Sequence, residues 1–276
     1  MKRAVCIGIN NYPGSANDLQ GCVNDANDWT ELLVEFGFEV ETLLDSEATR
    51  SNIKEKLQYL VDNTDAGDIA VFTYSGHGTQ VLDKSGDEAD GYDEALYVYD
   101  GVLIDDDLRA ILSGIHPNAQ LIVISDSCFS GTVTRVRGLE KGTKKRFVKP
   151  RGYDESLPVK SRLLENTMLE LLISGCSDTE YSYDAYINGR YNGAMTRYAI
   201  DSINQNREAL YKEFYSTLRN YLPSKNYPQT PQLEGSDFNK NLKLFTEVAV
   251  EEPIPDPNTG DGCLLYILKY LVDILS

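Results

Sequence analysis

Histidine is scarce in this chain: only His77 and His116 occur among 276 residues. Any chemistry that needs an imidazole base must use one of these two. Long apolar runs are missing as well. No stretch approaches the roughly 18 apolar residues of a membrane-spanning helix, so none is expected. The opening Met1-Lys-Arg-Ala-Val-Cys-Ile-Gly-Ile is too short in its apolar part for a signal peptide and reads as a first strand. The five cysteines are odd in number and without close pairing, which argues for free thiols in a reducing compartment, the cytoplasm. Basic residues are outnumbered 26 to 43, giving a net charge of −17. That balance argues against nucleic-acid or anionic-membrane binding.

The few basic residues are unevenly placed. Eight of them lie between Arg135 and Arg151, against one acid, Glu140. The rest of the chain is more acidic still. An acidic body with a basic loop is self-complementary.

Apolar periodicity gives the architecture. Strands are expected at Arg3–Ile9, Glu39–Leu44, Ile69–Tyr74, Leu121–Ser125 and Leu169–Ser174, with short late ones at Gln232–Glu234 and Lys243–Glu247. Helices are expected at Asn24–Phe36, Thr49–Asn63, Asp105–Leu112, Gly193–Asn204 and Glu208–Tyr221. Thr79–Asp100 reads as a glycine- and acid-rich excursion. Strands alternating with helices imply an α/β fold, a mostly parallel central sheet with helices on both faces. Residues 1–250 form one domain with the basic loop 132–166 inserted. Residues 251–262 are a linker by their proline and glycine content, and 263–276 form an amphipathic helix. Leu264, Leu268, Leu271 and Leu275 make its apolar stripe, which suits docking on the domain itself, a partner or dimer contact, or last a membrane surface, since Lys269 is its sole basic residue.

Two strand ends carry the chemistry. Val71-Phe-Thr-Tyr-Ser-Gly-His77-Gly78 and Leu121-Ile-Val-Ile-Ser-Asp-Ser-Cys128-Phe-Ser-Gly131 each break from apolar residues into small ones around one reactive side chain. Ligands on parallel sheets sit beyond the carboxyl ends of the strands, where His77 and Cys128 fall together. His116 belongs to a turn at the opposite end. A thiol needs a nearby base to become a nucleophile, so Cys128 and His77 form the expected dyad. The glycines beside His77 let a substrate backbone approach, and the Gly78 and Cys128 amides are the natural oxyanion donors. Cys6 and Cys176, in apolar strand contexts, read as inert core.

These motifs resemble the caspase-like cysteine proteases, specifically the prodomain-less, bacterial-type metacaspase branch. The matching residues are Tyr74-Ser-Gly-His-Gly-Thr79 and Asp126-Ser-Cys-Phe-Ser-Gly131. Gly21-Cys-Val-Asn-Asp25, Asp87-Glu-Ala-Asp-Gly-Tyr-Asp-Glu94, Ile173-Ser-Gly-Cys-Ser-Asp178 and Asn192-Gly-Ala-Met-Thr196 support it. The 51 residues from His77 to Cys128 suit the roughly 50-residue spacing of caspase-type proteases. The resemblance implies a caspase-like fold and a peptidase acting on protein or peptide substrates through a thioester. It maps the pocket for the residue before the cut onto Asp25, Ser75 and Asp126, with Cys22 nearby. Carboxylates there imply cleavage after Arg or Lys. Calcium is the implied cofactor, with Asp105 and Asp106 resembling the paired aspartates of calcium-dependent members and Asp90 and Asp93 supplying acids from the excursion. Arg135 stands where a further acid is expected, and a helix cap is an equally good reading of Asp105. An acidic pocket and a tethered basic loop also imply self-cleavage, after Lys144, Lys145 or Arg146, in a loop expected to be exposed and mobile. The rival readings are a catalytically silent scaffold of the same fold, another thiol hydrolase or acyltransferase, and a calcium-binding interaction module.

Overall fold

The computed structural model describes residues 1–82, 92–128, 142–148, 168–177 and 180–248. Asp90, Arg135, the linker and the C-terminal stripe lie outside these residues, as does most of the basic loop.

A six-stranded sheet organises the chain. Its strands are β1 (Lys2–Gly8), β2 (Glu39–Leu44), β3 (Ile69–Ser75), β7 (Gln120–Asp126), β9 (Leu171–Ser174) and β12 (Gln232–Glu234). They run in the order β12-β9-β7-β3-β1-β2, parallel except for β12 against β9. All seven residues of β3 are buried, as a central strand covered on both faces requires.

Alternation along β1 sorts its side chains to two cores. Ala4 and Cys6 join one cluster, and Val5 and Ile7 the other. The first core takes Trp29 and Leu33 of α1 (Cys22–Glu35), Ala199 of α4 (Ala194–Gln205) and Phe214 of α5 (Tyr211–Leu218). The second takes Ile53 and Leu57 of α2 (Arg50–Asp62) and the partly buried Leu108 and Ile111 of α3 (Asp105–Leu112). Each fully buried aliphatic or aromatic side chain contributes about 1.5–3 kcal/mol, so the two layers dominate the fold's stability. Thr49 caps α2: Asn52 N–H donates to Thr49 Oγ1 at 3.2 Å. A short α6 (Asp237–Lys240) follows β12.

The excursion proves more regular than its composition indicates. His77–Leu82 (β4), Tyr92–Val98 (β5) and Gly101–Ile104 (β6) form an antiparallel sheet. A third sheet joins β8 (Lys144–Lys145), β10 (Tyr183–Ile187) and β11 (Arg190–Gly193). The strand expected at Lys243–Glu247 does not form. Leu244 and Phe245 bury their side chains without a ladder, Lys243 makes an isolated bridge to Leu210, and Phe245 adopts φ 49°.

Candidate active site

Parallel pairing brings the two reactive strand ends together. Ser75 of β3 is in register with Asp126 of β7, so His77 and Cys128 each follow two residues later at one edge of the sheet. His116 is remote, its Nδ1 accepting from Asn118 N–H in the turn that precedes β7.

His77 is held from several sides. Its backbone N–H donates to Tyr12 Oη at 3.0 Å, and its carbonyl accepts from Tyr74 Oη at 2.8 Å. The Tyr12 ring packs 5.2 Å from the imidazole. Nε2 lies 2.7 Å from the Asn17 carbonyl, an acceptor only, so Nε2 carries the proton and Nδ1 holds the free lone pair. Nδ1 is buried and makes no hydrogen bond. Burial pushes the imidazole pKa down to about 4, which keeps it a neutral base at physiological pH.

Cys128 is fully buried, and its sulfur faces Ser182. Ser182 N–H donates to Sγ at 2.6 Å, and Sγ–H points to the Ser182 carbonyl at 3.5 Å. Cys176, expected to be inert core, lies against this thiol. The hydrogen bond with Cys128, and then burial, push the Cys176 thiol up.

Glycine is obligatory at position 78. A Cβ there would lie 1.9 Å from the Cys128 carbonyl oxygen. The close approach aligns two amides: Gly78 N–H and Cys128 N–H both donate to the Arg146 carbonyl, at 2.9 and 3.2 Å. Two convergent backbone donors on one carbonyl are the arrangement of an oxyanion hole.

Arg146 itself fills the acidic pocket. Its guanidinium lies 2.6 Å from Asp25 Oδ2, 3.3 Å from Asp126 Oδ2 and 3.3 Å from Asp184 Oδ1, with no exposed surface. Nη1 also donates to the Asp126 carbonyl at 3.0 Å and reaches Ser75 Oγ at 3.5 Å. The loop was expected to be exposed; at Arg146 it is the reverse, because three buried carboxylates compensate the loss of water. Burial alone would lower the guanidinium's pKa. Asp126, Asp25 and Asp184 together hold it well above its usual value, so it stays charged.

Each pocket acid has its own support. Asp25 sits in the first turn of α1 but does not cap it; its carboxylate accepts from Asn192 Nδ2 at 3.0 Å and Gly193 N–H at 2.9 Å. Burial raises the Asp25 pKa to about 7, with Arg146 pulling it down and Asp126 pushing it up. Asp126 both faces Arg146 and ties the loops, accepting from Thr196 N–H and Oγ1 at 2.9 and 2.8 Å and from Ser182 Oγ. Cys22 is buried, and burial pushes its thiol well up, so it lines the pocket as a neutral group. Asp184, which accepts from Gly21 N–H at 2.8 Å, was missed by the sequence reading, as was the Asn17 carbonyl.

Backbone pairing continues on the amino side of Arg146. Arg146 N–H donates to the Ser182 carbonyl at 3.0 Å, and β8 pairs antiparallel with β10, Lys145 opposite Tyr183. Lys144 and Lys145 therefore precede the pocket residue, and among the described residues Arg146 alone occupies the pocket.

The expected calcium ligands are less gathered. Asp105 and Asp106 open α3, and Asp105 pairs with Arg109 at 3.4 Å. Asp93 is buried on β5. Among the described residues no group of three or more metal-ligating side chains comes together. No helix among them is long and apolar enough to cross a membrane.

Residues 1–243 match the family model described as the caspase domain, so the chain belongs to the caspase-domain family of cysteine peptidases. Within it, the chain is similar to metacaspases. It is 32% identical to Metacaspase-1 of Cryptococcus neoformans, over 85% of this chain and 62% of that one. It is 31% identical to Metacaspase-1 of Scheffersomyces stipitis, over 85% and 70%. The matched region thus spans under two thirds of the Cryptococcus protein's length. A crystal structure of a protein from Geobacter sulfurreducens superposes with TM-score 0.70 at 28% identity, covering 90% of this chain and 99% of that one. Caspase-1 of Spodoptera frugiperda, at TM-score 0.51 and 13% identity over 85% of this chain and 86% of that one, shares the fold.

Proposed function

We propose that the chain is a cysteine endopeptidase that cuts after Arg or Lys through a Cys128–His77 dyad, and that its first substrate is its own Arg146–Phe147 bond. One observation carries this reading: Arg146 lies with its side chain in the acidic pocket and its carbonyl on two backbone N–H groups.

The chemistry follows from the residues. His77 Nδ1 takes the Cys128 thiol proton, and the sulfur attacks the carbonyl carbon of the basic residue. Charge developing on the carbonyl oxygen is met by the Gly78 and Cys128 N–H groups, each such donor being worth about 3–4 kcal/mol in comparable sites. The His77 imidazolium then protonates the departing amine, here the Phe147 nitrogen. Water, deprotonated by His77, hydrolyses the thioester. Before this begins the Cys128 sulfur must turn from Ser182 toward the carbonyl.

That turned-in sulfur favours a second reading, in which Arg146 is an uncut plug and the chain a silent scaffold. Calcium activation through Asp90, Asp93, Asp105 and Asp106 is proposed on the resemblance. Labelling with an arginyl and an aspartyl peptide electrophile tests the function. The proposal expects the arginyl probe on Cys128, blocked by prior alkylation. Equal labelling by both probes, or none by either, would contradict it.

A further inference from the structure

The segment after Arg146 is gripped as closely as the one before it. Val148 N–H donates to the Gly78 carbonyl at 3.0 Å, and Thr79 Oγ1 donates to the Val148 carbonyl at 2.8 Å. Phe147 makes an isolated parallel bridge with Gly78. β4 is an edge strand of its sheet, so these contacts extend it by chain addition. Thr79 is buried, and its hydroxyl lies nearer the Val148 carbonyl, at 2.8 Å, than the adjacent Gln80 carbonyl, at 3.5 Å. Tyr181 stands beside the bond from both directions. The Phe147 ring lies 6.3 Å from its ring, and Lys145 Nζ sits 3.8 Å from its centroid.

We propose that this peptidase has a built leaving-group side, formed by the Gly78 backbone, the Thr79 hydroxyl and the Tyr181 ring. It takes an aromatic residue immediately after the cut and requires an amide N–H on the residue after that. The inference rests on reading Arg146 as the residue before the cut. Its logic is physical: the Gly78 carbonyl is an acceptor that a proline at the second position cannot satisfy. Tyr181 offers an offset aromatic contact to the residue after the cut and a cation–π contact to the one before Arg146. The favoured substrates are therefore basic-basic-aromatic segments of unfolded or loop chain, and proline two residues after the cut excludes cleavage. The pocket that reads arginine sets which residue precedes the bond; this strip sets which segments containing arginine are cut.

Internally quenched peptides test it on the full wild-type chain. The parent peptide copies residues 142–149, Gly-Thr-Lys-Lys-Arg-Phe-Val-Lys. A second replaces Val by 2-hydroxyisovaleric acid, which exchanges the N–H for oxygen without adding bulk. A third replaces Phe by Gly, and an acyl-Lys-Lys-Arg-coumarin reporter lacks the leaving-group side. The ester form is expected to lose about tenfold in kcat/KM, as for one lost hydrogen bond. The Gly form is expected to lose about threefold to tenfold. In Tyr181→Ala the Phe-to-Gly ratio should move toward one. Equal turnover of the parent, ester and Gly peptides, with the reporter hydrolysed normally, would overturn the leaving-group side and leave the Arg reading intact. No hydrolysis of the reporter or of any peptide would overturn both.

Discussion

Arg146 and Asp25 form an ion pair at 2.6 Å in which neither side chain keeps any exposed surface. The two residues are 121 apart in the chain, and the arginine comes from the most basic stretch of the sequence. Burying a guanidinium is costly unless its charge and donors are matched. Asp126 and Asp184 add their carboxylates at 3.3 Å each and match the charge, while the Nε–H donor is left without a hydrogen-bond partner. The pocket is thus complementary to arginine, and the tethered loop occupies it at high effective concentration.

Competition follows from that tether. Arg146→Ala should lower the KM of added arginyl reporters relative to uncut wild type, since it removes an intramolecular rival. Initial-rate kinetics on freshly purified protein measure this. An unchanged KM would place the loop outside the pocket in solution.

Removing a pocket acid should weaken arginine selectively. Asp25→Ala, Asp126→Ala and Asp184→Ala are each expected to cut kcat/KM for arginyl peptides by about 2–4 kcal/mol equivalent, the loss of a desolvated charge partner. Asp126→Ala should also loosen the loops, because its carboxylate holds Thr196 and Ser182. Kinetics beside circular dichroism separate the two effects. Preserved arginine preference in all three variants would remove these acids from recognition.

The pH profile should carry the signature of Asp25. Its folded pKa is raised to about 7, chiefly by burial, and the ionised form is the one that binds guanidinium. That value already includes the lowering by Arg146, so in a pocket awaiting substrate Asp25 holds its proton to higher pH still; protons compete with arginine from above pH 7 downward, and kcat/KM should drop on that side. His77, pushed down to about 4 by burial, remains neutral there and adds no limb near its ordinary value. Asp25→Asn should abolish the limb at lower overall activity. An acid limb unchanged in Asp25→Asn would assign it elsewhere.

The dyad and the oxyanion donors make separable predictions. Cys128→Ala should lower turnover by about ten-thousand-fold or more, and His77→Ala nearly as much. Gly78→Ala should cost about a hundredfold in kcat, because the added Cβ collides with the Cys128 carbonyl and displaces a donor. Reporter turnover in the three variants checks this. Wild-type rates in Cys128→Ala would require another nucleophile.

For calcium, a chelator should suppress activity and millimolar calcium restore it, with Asp106→Ala not rescued. Full activity in chelator would dispose of the requirement.

Much of this was legible in the residues, for reasons the structure makes plain. β1, β3 and β7 are apolar on both faces, so their sequences announce them without reference to partners. Their shared direction places His77 and Cys128 at one edge. β4 mixes polar with apolar residues, β5 opens on acids and β6 has only four residues, so all three exist through cross-strand pairing such as His77 with Tyr97, which local pattern does not encode. Asp25 and Asp126 were found through motif resemblance. Asp184 sits in a tyrosine-rich stretch without an apolar run, although Tyr181, Tyr183 and Ala185 alternate there at strand spacing. Asn17 acts through its backbone carbonyl, a role no side-chain pattern reveals. The sequence narrows the basic loop to Lys144, Lys145 or Arg146; which of these cations fills the pocket is decided by backbone register along Ser182 and Gly78.

Intact-mass analysis of purified wild type and Cys128→Ala decides whether the chain cuts itself after Arg146. Scission of the wild-type chain between Arg146 and Phe147 is expected, giving fragments that end and begin at those residues, while Cys128→Ala stays whole. A single uncut mass from a wild-type preparation that hydrolyses arginyl peptides would contradict it and leave Arg146 as a plug.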